Sequence, residues 1–465
     1  MKELAELRVL LVRPPRMKQA ITLGEFMFSE PIGLECIYGI LKDDYEVKIV
    51  DLMVEGESLL MECINWRPQV VGFTSLCVDV FMVRELAKQV KEYDKDIITM
   101  VGGTQAYLNP EAFFISEIDH VMKYTTNDNL RKLFYSLVSP EKVPLLDGIY
   151  SNVNQFRSTE VSGRNDYMVP DRSATSKYRS HYSYFGYKPC AIMQTSQGCS
   201  SHCSFCLRWR IEGGKEENQP LECIIGQIED IDEPSIMIFD NDFLHDGPRL
   251  MEFCKILEER SIRKNFICYG SVKSIINHGD AIRKFAENGL KAVIVGYETF
   301  RDDELKNYQK KSSVDDNILA SKILKELKVD CWASFMLHPD WTKEDFKGLK
   351  RYLRRLRPEI TTLSPLTAFP NLPIYETYKD RLLFEKEDYT SWSFGKVCIM
   401  PTKMSLRRYY FELLRTNIYI NFYLNGMIYM TKKFGLNTLL RIALGSIKVS
   451  RMYIGLMIQG EKKRS

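Results

Sequence analysis

Over the first third of the chain, short apolar runs alternate with stretches of helical spacing. Arg8 to Val12 is an apolar run stopped by Pro14-Pro15, Ile32 to Leu41 has helical spacing, and Val47 to Val50 ends at Asp51. Val70 to Thr74, Ile97 to Val101 and His120 to Met122 continue the strand series. Helical stretches near Leu59 to Asn65, Val80 to Tyr93, Glu111 to Ile115 and Asn129 to Leu137 fall between them. Strands alternating with helices predict a doubly wound parallel sheet, which holds its ligand beyond the carboxyl ends of its strands. Those ends read Thr74-Ser75-Leu76 and Gly102-Gly103-Thr104, small and hydroxylated residues that let a large planar ligand approach the backbone.

Periodicity fades from Ser151 to Pro189, where Ser, Asn, Arg and Tyr dominate, and this stretch reads as a linker. Its tyrosines, Tyr178, Tyr182, Tyr184 and Tyr187, are explained by packing of a long connector or by lining a site entrance. A second series follows: Ala191 to Thr195, Ser235 to Asp240, Asn265 to Gly270, Ala292 to Tyr297, Cys331 to Leu337 and Ile360 to Leu363. Six strands with helices between them place functional groups at the carboxyl ends of the strands.

Composition adds bounds. The 465 residues exceed one ordinary domain, and 45% hydrophobic with 27% charged residues describes a globular chain. The formal net charge of +3 says little about partners. Twelve cysteines in a chain of this size fit a reducing cytosol rather than a disulfide framework. The acidic start Met1-Lys2-Glu3 reads as no targeting segment, and no long uncharged apolar stretch predicts a spanning helix.

The chemistry concentrates in Gln197-Gly198-Cys199-Ser200-Ser201-His202-Cys203-Ser204-Phe205-Cys206. Three cysteines spaced C-x3-C-x2-C after a strand can aim three thiolates at one centre, and thiolates select zinc or iron-sulfur clusters. Structural zinc wants a fourth Cys or His. A [4Fe-4S] cluster held by three cysteines leaves one iron open.

Cys199, Cys203 and Cys206, with Phe205 before the last, resemble the signature of the radical S-adenosylmethionine (SAM) superfamily. The resemblance implies a cluster whose open iron chelates SAM and reduces it to a 5'-deoxyadenosyl radical, in a partial (β/α)6 barrel. The preceding domain, with Pro31-Ile32-Gly33-Leu34, resembles the cobalamin-binding domain of cobalamin-dependent members, which implies cobalamin contacts from Thr74, Ser75, Leu76, Gly102, Gly103 and Thr104. There are departures. No Asp-x-His-x-x-Gly is present, and Lys123 to Asp128 replaces the family's Gly-Glu-Gly-Glu with bulkier residues, so a domain kept only for scaffolding is the rival.

Residue by residue, the resemblance implies SAM contacts from Phe205, from Asp240 and Asp242 as acceptors for its ammonium, from Ser271 and Lys273 toward its carboxylate, and from Glu298 in Gly296-Tyr297-Glu298-Thr299. His338, in the turn Met336 to Asp345, reads as a turn residue or an acid-base, and Asp345 as a first-turn helix residue. The sequence points to no catalytic residue. Thr367 to Tyr375 resembles the segment that closes the barrel in relatives of the hopanoid methylases and the anaerobic magnesium-protoporphyrin cyclase.

The expected domains are 1–150 for cobalamin, 151–189 as linker, 190–380 as barrel and 381–465 as a basic, aromatic-rich helical region. From Lys396 onward bases face only Glu412 and Glu461, with aliphatics among them. This pattern suits an interfacial helix or a helical subdomain with a solvated basic face; no nucleic acid is expected.

The resemblance therefore implies a C-methyltransferase acting on an unactivated carbon of a lipid- or isoprenoid-like small molecule, with [4Fe-4S], SAM and cobalamin as cofactors and flavodoxin or ferredoxin as electron donor. The cysteine usage and the acidic start give the expectation of a cytoplasmic enzyme, with a peripheral contact at the inner membrane face if the tail is interfacial. The rivals are an oxidative cyclase without methyl transfer and a non-enzymatic cobalamin or redox sensor. A methylthiotransferase would need a second set of ligands, for which Cys36, Cys63 and Cys77 are unsuitably spaced.

Overall fold

The computed structural model describes residues 7–16, 27–139, 144–159, 162–424 and 427–459. The start Met1 to Glu6 and the terminal bases Lys462 to Arg464 lie outside the described residues. Two six-stranded sheets organise the chain. The first is built from β1 (Arg8–Arg13), β2 (Glu46–Asp51), β3 (Val70–Thr74), β4 (Ile98–Gly102), β5 (His120–Met122) and β6 (Ile149–Ser151), in the order β2-β1-β3-β4-β5-β6. All pairs are parallel except β5 with β6. Its strands are buried because helices cover both faces: Leu10, Val12, Val71 and Phe73 pack on one side, Val9, Leu11, Val70 and Met100 on the other. This is the doubly wound sheet the pattern predicts. The antiparallel edge strand β6 carries too few residues to announce itself.

The second sheet comprises β7 (Cys190–Met193), β8 (Ser235–Ile238), β9 (Asn265–Gly270), β10 (Leu290–Glu298), β11 (Asp330–Leu337) and β12 (Ile360–Pro365). These pair in chain order, all parallel, and the sheet runs from β7 to β12 as an open barrel. Alternate residues face outward under the helices, as Ala191, Ile236, Cys268, Val293 and Ala333 do. The inward set, Ile192, Met237, Ile267, Ile294, Trp332 and Ile360, makes an apolar floor. One step further toward the carboxyl ends, Phe239, Tyr269, Gly296, Ser334 and Thr362 are only half-buried, so a lumen opens above that floor.

The connector 151–189 is more structured than its sequence pattern suggests. Arg172–His181 forms 3-10 turns, whose period matches neither a strand nor an α-helix, and Ser183–Tyr184 pairs with Met27–Phe28. Its tyrosines pack rather than line an entrance. Tyr178 donates to Glu55 at 2.6 Å and Tyr182 to Asp51 at 3.1 Å, while Tyr184 and Tyr269 hydroxyls meet at 2.6 Å. Phe185 and Tyr187 stop the floor from below against Trp332, joined by Phe434 of the last helix.

Candidate active site

The cysteine loop follows β7 at the carboxyl face of the barrel. Cys203 is buried and Cys199 and Cys206 half-buried. Burial pushes the Cys203 thiol up to about 11 and raises Cys206, and neighbouring thiols raise these two further. Among the described residues no three His, Cys, Asp or Glu side chains are gathered closely enough to hold a metal ion. The donor set is nevertheless three soft thiols on one short, braced loop, which suits a cluster with an open position. His202, at φ 49, lies edge-on to Trp209 with ring centroids 5.0 Å apart and against Gly214.

Bracing comes from distant segments. The Cys199 N–H donates to Gly213 O at 3.0 Å, Ser204 N–H to Tyr308 O at 3.1 Å, and Ile374 N–H to Ser204 O at 3.2 Å. Phe205 meets Tyr308 edge-on at 5.6 Å, and the Lys311 ammonium donates to Ser200 O at 3.0 Å.

The acidic turn after β8 divides its labour differently from the sequence expectation. Asp240 is 1% exposed and takes bonds from the Thr195 N–H at 2.6 Å, the Thr195 hydroxyl at 2.5 Å and the Ser196 hydroxyl at 2.8 Å. Burial raises its pKa against those bonds, and its work is to tie β8 to the strand before the cysteines. Asp242 accepts from the Ser271 N–H at 3.0 Å and the Ser274 hydroxyl at 2.6 Å, while the Ser271 hydroxyl caps helix Val272–Asn277. Asn241 is the member that reaches the loop: its amide donates to Gly198 O at 2.8 Å and to Glu212 at 2.7 Å, and it accepts from Arg208 at 2.7 Å. Lys273 is directed away, pairing with Asp316 at 2.9 Å and 45% exposed.

The cation beside the thiols that the sequence reading missed is Lys310. It pairs with Glu298 at 3.0 Å, and its charge lowers both Cys203 and Cys206. Burial alone would favour the neutral amine, but Glu298 and Cys203 more than offset it, so Lys310 stays charged. Glu298 sits at φ 63, and its carboxylate folds back over residue 296. A Cβ there would lie 2.2 Å from Glu298 Oε1 and 3.3 Å from Lys310 Nζ, so the glycine leaves the space into which the Glu298 carboxylate folds. His338 is a turn residue: its Nδ1 accepts from the Asp340 N–H at 3.1 Å, Tyr378 meets its Nε2 at 3.0 Å, and burial lowers its pKa. Asp345 closes a capping box with Thr342.

At the carboxyl edge of the first sheet, Thr74, Ser75, Leu76, Gly102, Gly103 and Thr104 form one continuous ledge. Ser75 N–H donates to Gly102 O at 3.0 Å and Gln105 N–H to Ser75 O at 3.0 Å. Gly103 is exposed at φ 95, and a Cβ would stand 2.8–2.9 Å from Thr74 and Ser75, so the ledge exists because that residue is glycine. Tyr124, in the segment that departs from Gly-Glu-Gly-Glu, is 4% exposed with its ring packed on Gly148 and Gly163. The ledge adjoins the cysteine loop: Tyr107 donates to Arg210 O at 3.3 Å, just past Cys206, and Asn371 to Leu108 O at 2.9 Å.

Comparison with known proteins agrees with this arrangement. The radical SAM superfamily model matches residues 193–353 and the B12 binding domain model residues 27–133. The chain is 25% identical over 397 residues to the hopanoid C-3 methylase of Methylococcus capsulatus, covering 84% of this chain and 76% of that protein. It is 22% identical over 414 residues to the anaerobic magnesium-protoporphyrin IX monomethyl ester cyclase of Cereibacter sphaeroides, covering 85% and 66%. Among solved structures, the radical SAM methyltransferase TsrM from Kitasatospora setae matches with TM-score 0.72 at 15% identity over 96% of this chain and 99% of that one. The cobalamin-dependent radical enzyme OxsB matches with TM-score 0.70 at 15% identity over 98% and 73%.

Proposed function

Because this chain is a radical SAM enzyme carrying a B12-binding domain, with [4Fe-4S], SAM and cobalamin as cofactors, we propose that it transfers a methyl group to an unactivated carbon of an apolar, lipid- or isoprenoid-like small molecule. The observation that carries the proposal is the meeting of the Thr74–Thr104 ledge with the cysteine loop on one face, above a lumen with an apolar floor. The relative of known activity that methylates a hopanoid supports the substrate class.

When bound, the cofactors supply one-electron cleavage and methyl transfer. The chain supplies position and shelter. Cys199, Cys203 and Cys206 would hold the cluster. Glu298 and Lys310 offer opposite charges suited to the ammonium and carboxylate of SAM, with Asp242, Ser271 and Phe205 nearby on the same face. The ledge would hold the corrin, and the floor of Ile192, Met237, Ile267 and Trp332 keeps water from the reacting carbon. We assign 1–150 to cobalamin, 151–189 to connection, 190–380 to the barrel and 381–465 to a helical region, with a flavodoxin or ferredoxin as electron source.

The test is anaerobic. Protein reconstituted with iron, sulfide and hydroxocobalamin is incubated with methyl-deuterated SAM, a reductant and a membrane-lipid extract. Label in an apolar product supports methyl transfer. The cyclase-like relative favours one competing reading, radical oxidation, in which 5'-deoxyadenosine forms and the product mass changes with no label gained.

A further inference from the structure

The last helix, Met427–Gln459, breaks at Gly435, where φ is 79 and ψ 162. Beyond the break its inner side packs on the barrel layer through Val449, Met452, Tyr453 and Leu456. The opposite side is bare. Leu436, Leu440, Leu444, Ile447, Ile454 and Ile458 are between 45% and 72% exposed. At 3.6 residues per turn their spacing keeps all six within an arc of about 80° along about 33 Å of helix. Phe422 and Tyr423, at the end of the preceding helical arm, are also 64% and 77% exposed. Contiguous apolar surface of this extent marks an interaction site.

Charge selects the occupant. Residues 413–460 contain no Asp or Glu. Lys448 is exposed at the edge of the stripe and Arg451 within its arc, and Arg407 and Arg415 are exposed on helix Leu406–Tyr419. Glu412, the acid of that helix, is 1% exposed and already paired with Arg408 and Arg415. Two copies meeting through this face would set bases against bases with no acid to answer them. Nucleic acid would engage the bases and leave the aliphatic stripe in water. Among the described residues no helix is long and apolar enough to cross a membrane, so the helix would lie in the plane of a surface.

We propose that this face docks on an anionic phospholipid bilayer, with the stripe entering the boundary between headgroups and acyl chains and Lys448 and Arg451 meeting the headgroups. The inference stands independently of the methyl-transfer reading.

The test uses the full chain, reconstituted with its cluster, and vesicle co-sedimentation. Wild type is expected to sediment with phosphatidylcholine–phosphatidylglycerol vesicles at least tenfold more strongly than with phosphatidylcholine alone. Leu440→Glu with Leu444→Glu should reduce that binding at least tenfold at unchanged iron content and melting temperature. Lys448→Glu with Arg451→Glu should abolish the anionic preference. Wild type remaining in the supernatant with anionic vesicles overturns the proposal, as does undiminished binding by the Leu440→Glu/Leu444→Glu variant. So does velocity sedimentation that turns a wild-type dimer into a monomer on those substitutions, which would assign the stripe to a second copy.

Discussion

A single carbon added at residue 296 would collide with the carboxylate of Glu298, which would have to leave its present place beside Lys310. Gly296→Ala is therefore expected to lower 5'-deoxyadenosine formation at least tenfold while circular dichroism and iron content hold. Glu298 was legible because the Gly-x-Glu spacing is local. Lys310 was not: Lys310-Lys311 between two helices reads as a solvated turn, and only the fold brings the Lys310 ammonium within 3.0 Å of Glu298. Asp240 shows the reverse, an acid that reads as a ligand group but is consumed by Thr195 and Ser196. A different carboxyl sets a pH response. Glu35 is fully buried, and burial, then the neighbouring Glu30, push its pKa up to about 8. The folded state thus holds a proton that the unfolded state releases near pH 4.5, so this contribution is intact below that range and is lost as pH rises toward 8. Melting temperature should fall between pH 6 and 8 more steeply for wild type than for Glu35→Gln.

At the scale of elements, the parallel strands of both sheets were readable because buried parallel strands are continuous apolar runs bounded by breakers, whereas the antiparallel edge strand β6 was not. Arg172–His181 escaped because 3-10 turns leave no apolar period. The ledge was readable as small residues after two strands, yet its shape depends on Gly103 holding a left-handed backbone against Thr74 and Ser75. Gly103→Val should lose retained corrin after desalting, measured by absorbance, with iron retained at wild-type level. Cys203→Ala should do the opposite, removing the cluster spectrum and leaving corrin bound.

Across the whole molecule, the two sheets are joined by a buried ionic knot that no spacing in the sequence announces. Arg179 binds Glu30, Glu35 and Glu233, Arg172 donates to Ile192 O at 2.6 Å, and Glu30 accepts the Ile192 N–H. Removing one member of such a knot leaves buried charge uncompensated, so Arg179→Ala should cost about 3–5 kcal/mol in denaturant unfolding.

The backbone bond from Ile374 to Ser204 dates the assembly of the cysteine loop. During synthesis, the strands of the first sheet are all available once residue 151 has left the ribosome, and domains near the amino end fold first. The loop acquires this outer brace only when residue 374 arrives, so iron delivered to a nascent chain before then would meet three thiols on a loop held by its earlier contacts to Gly213 and Tyr308 alone.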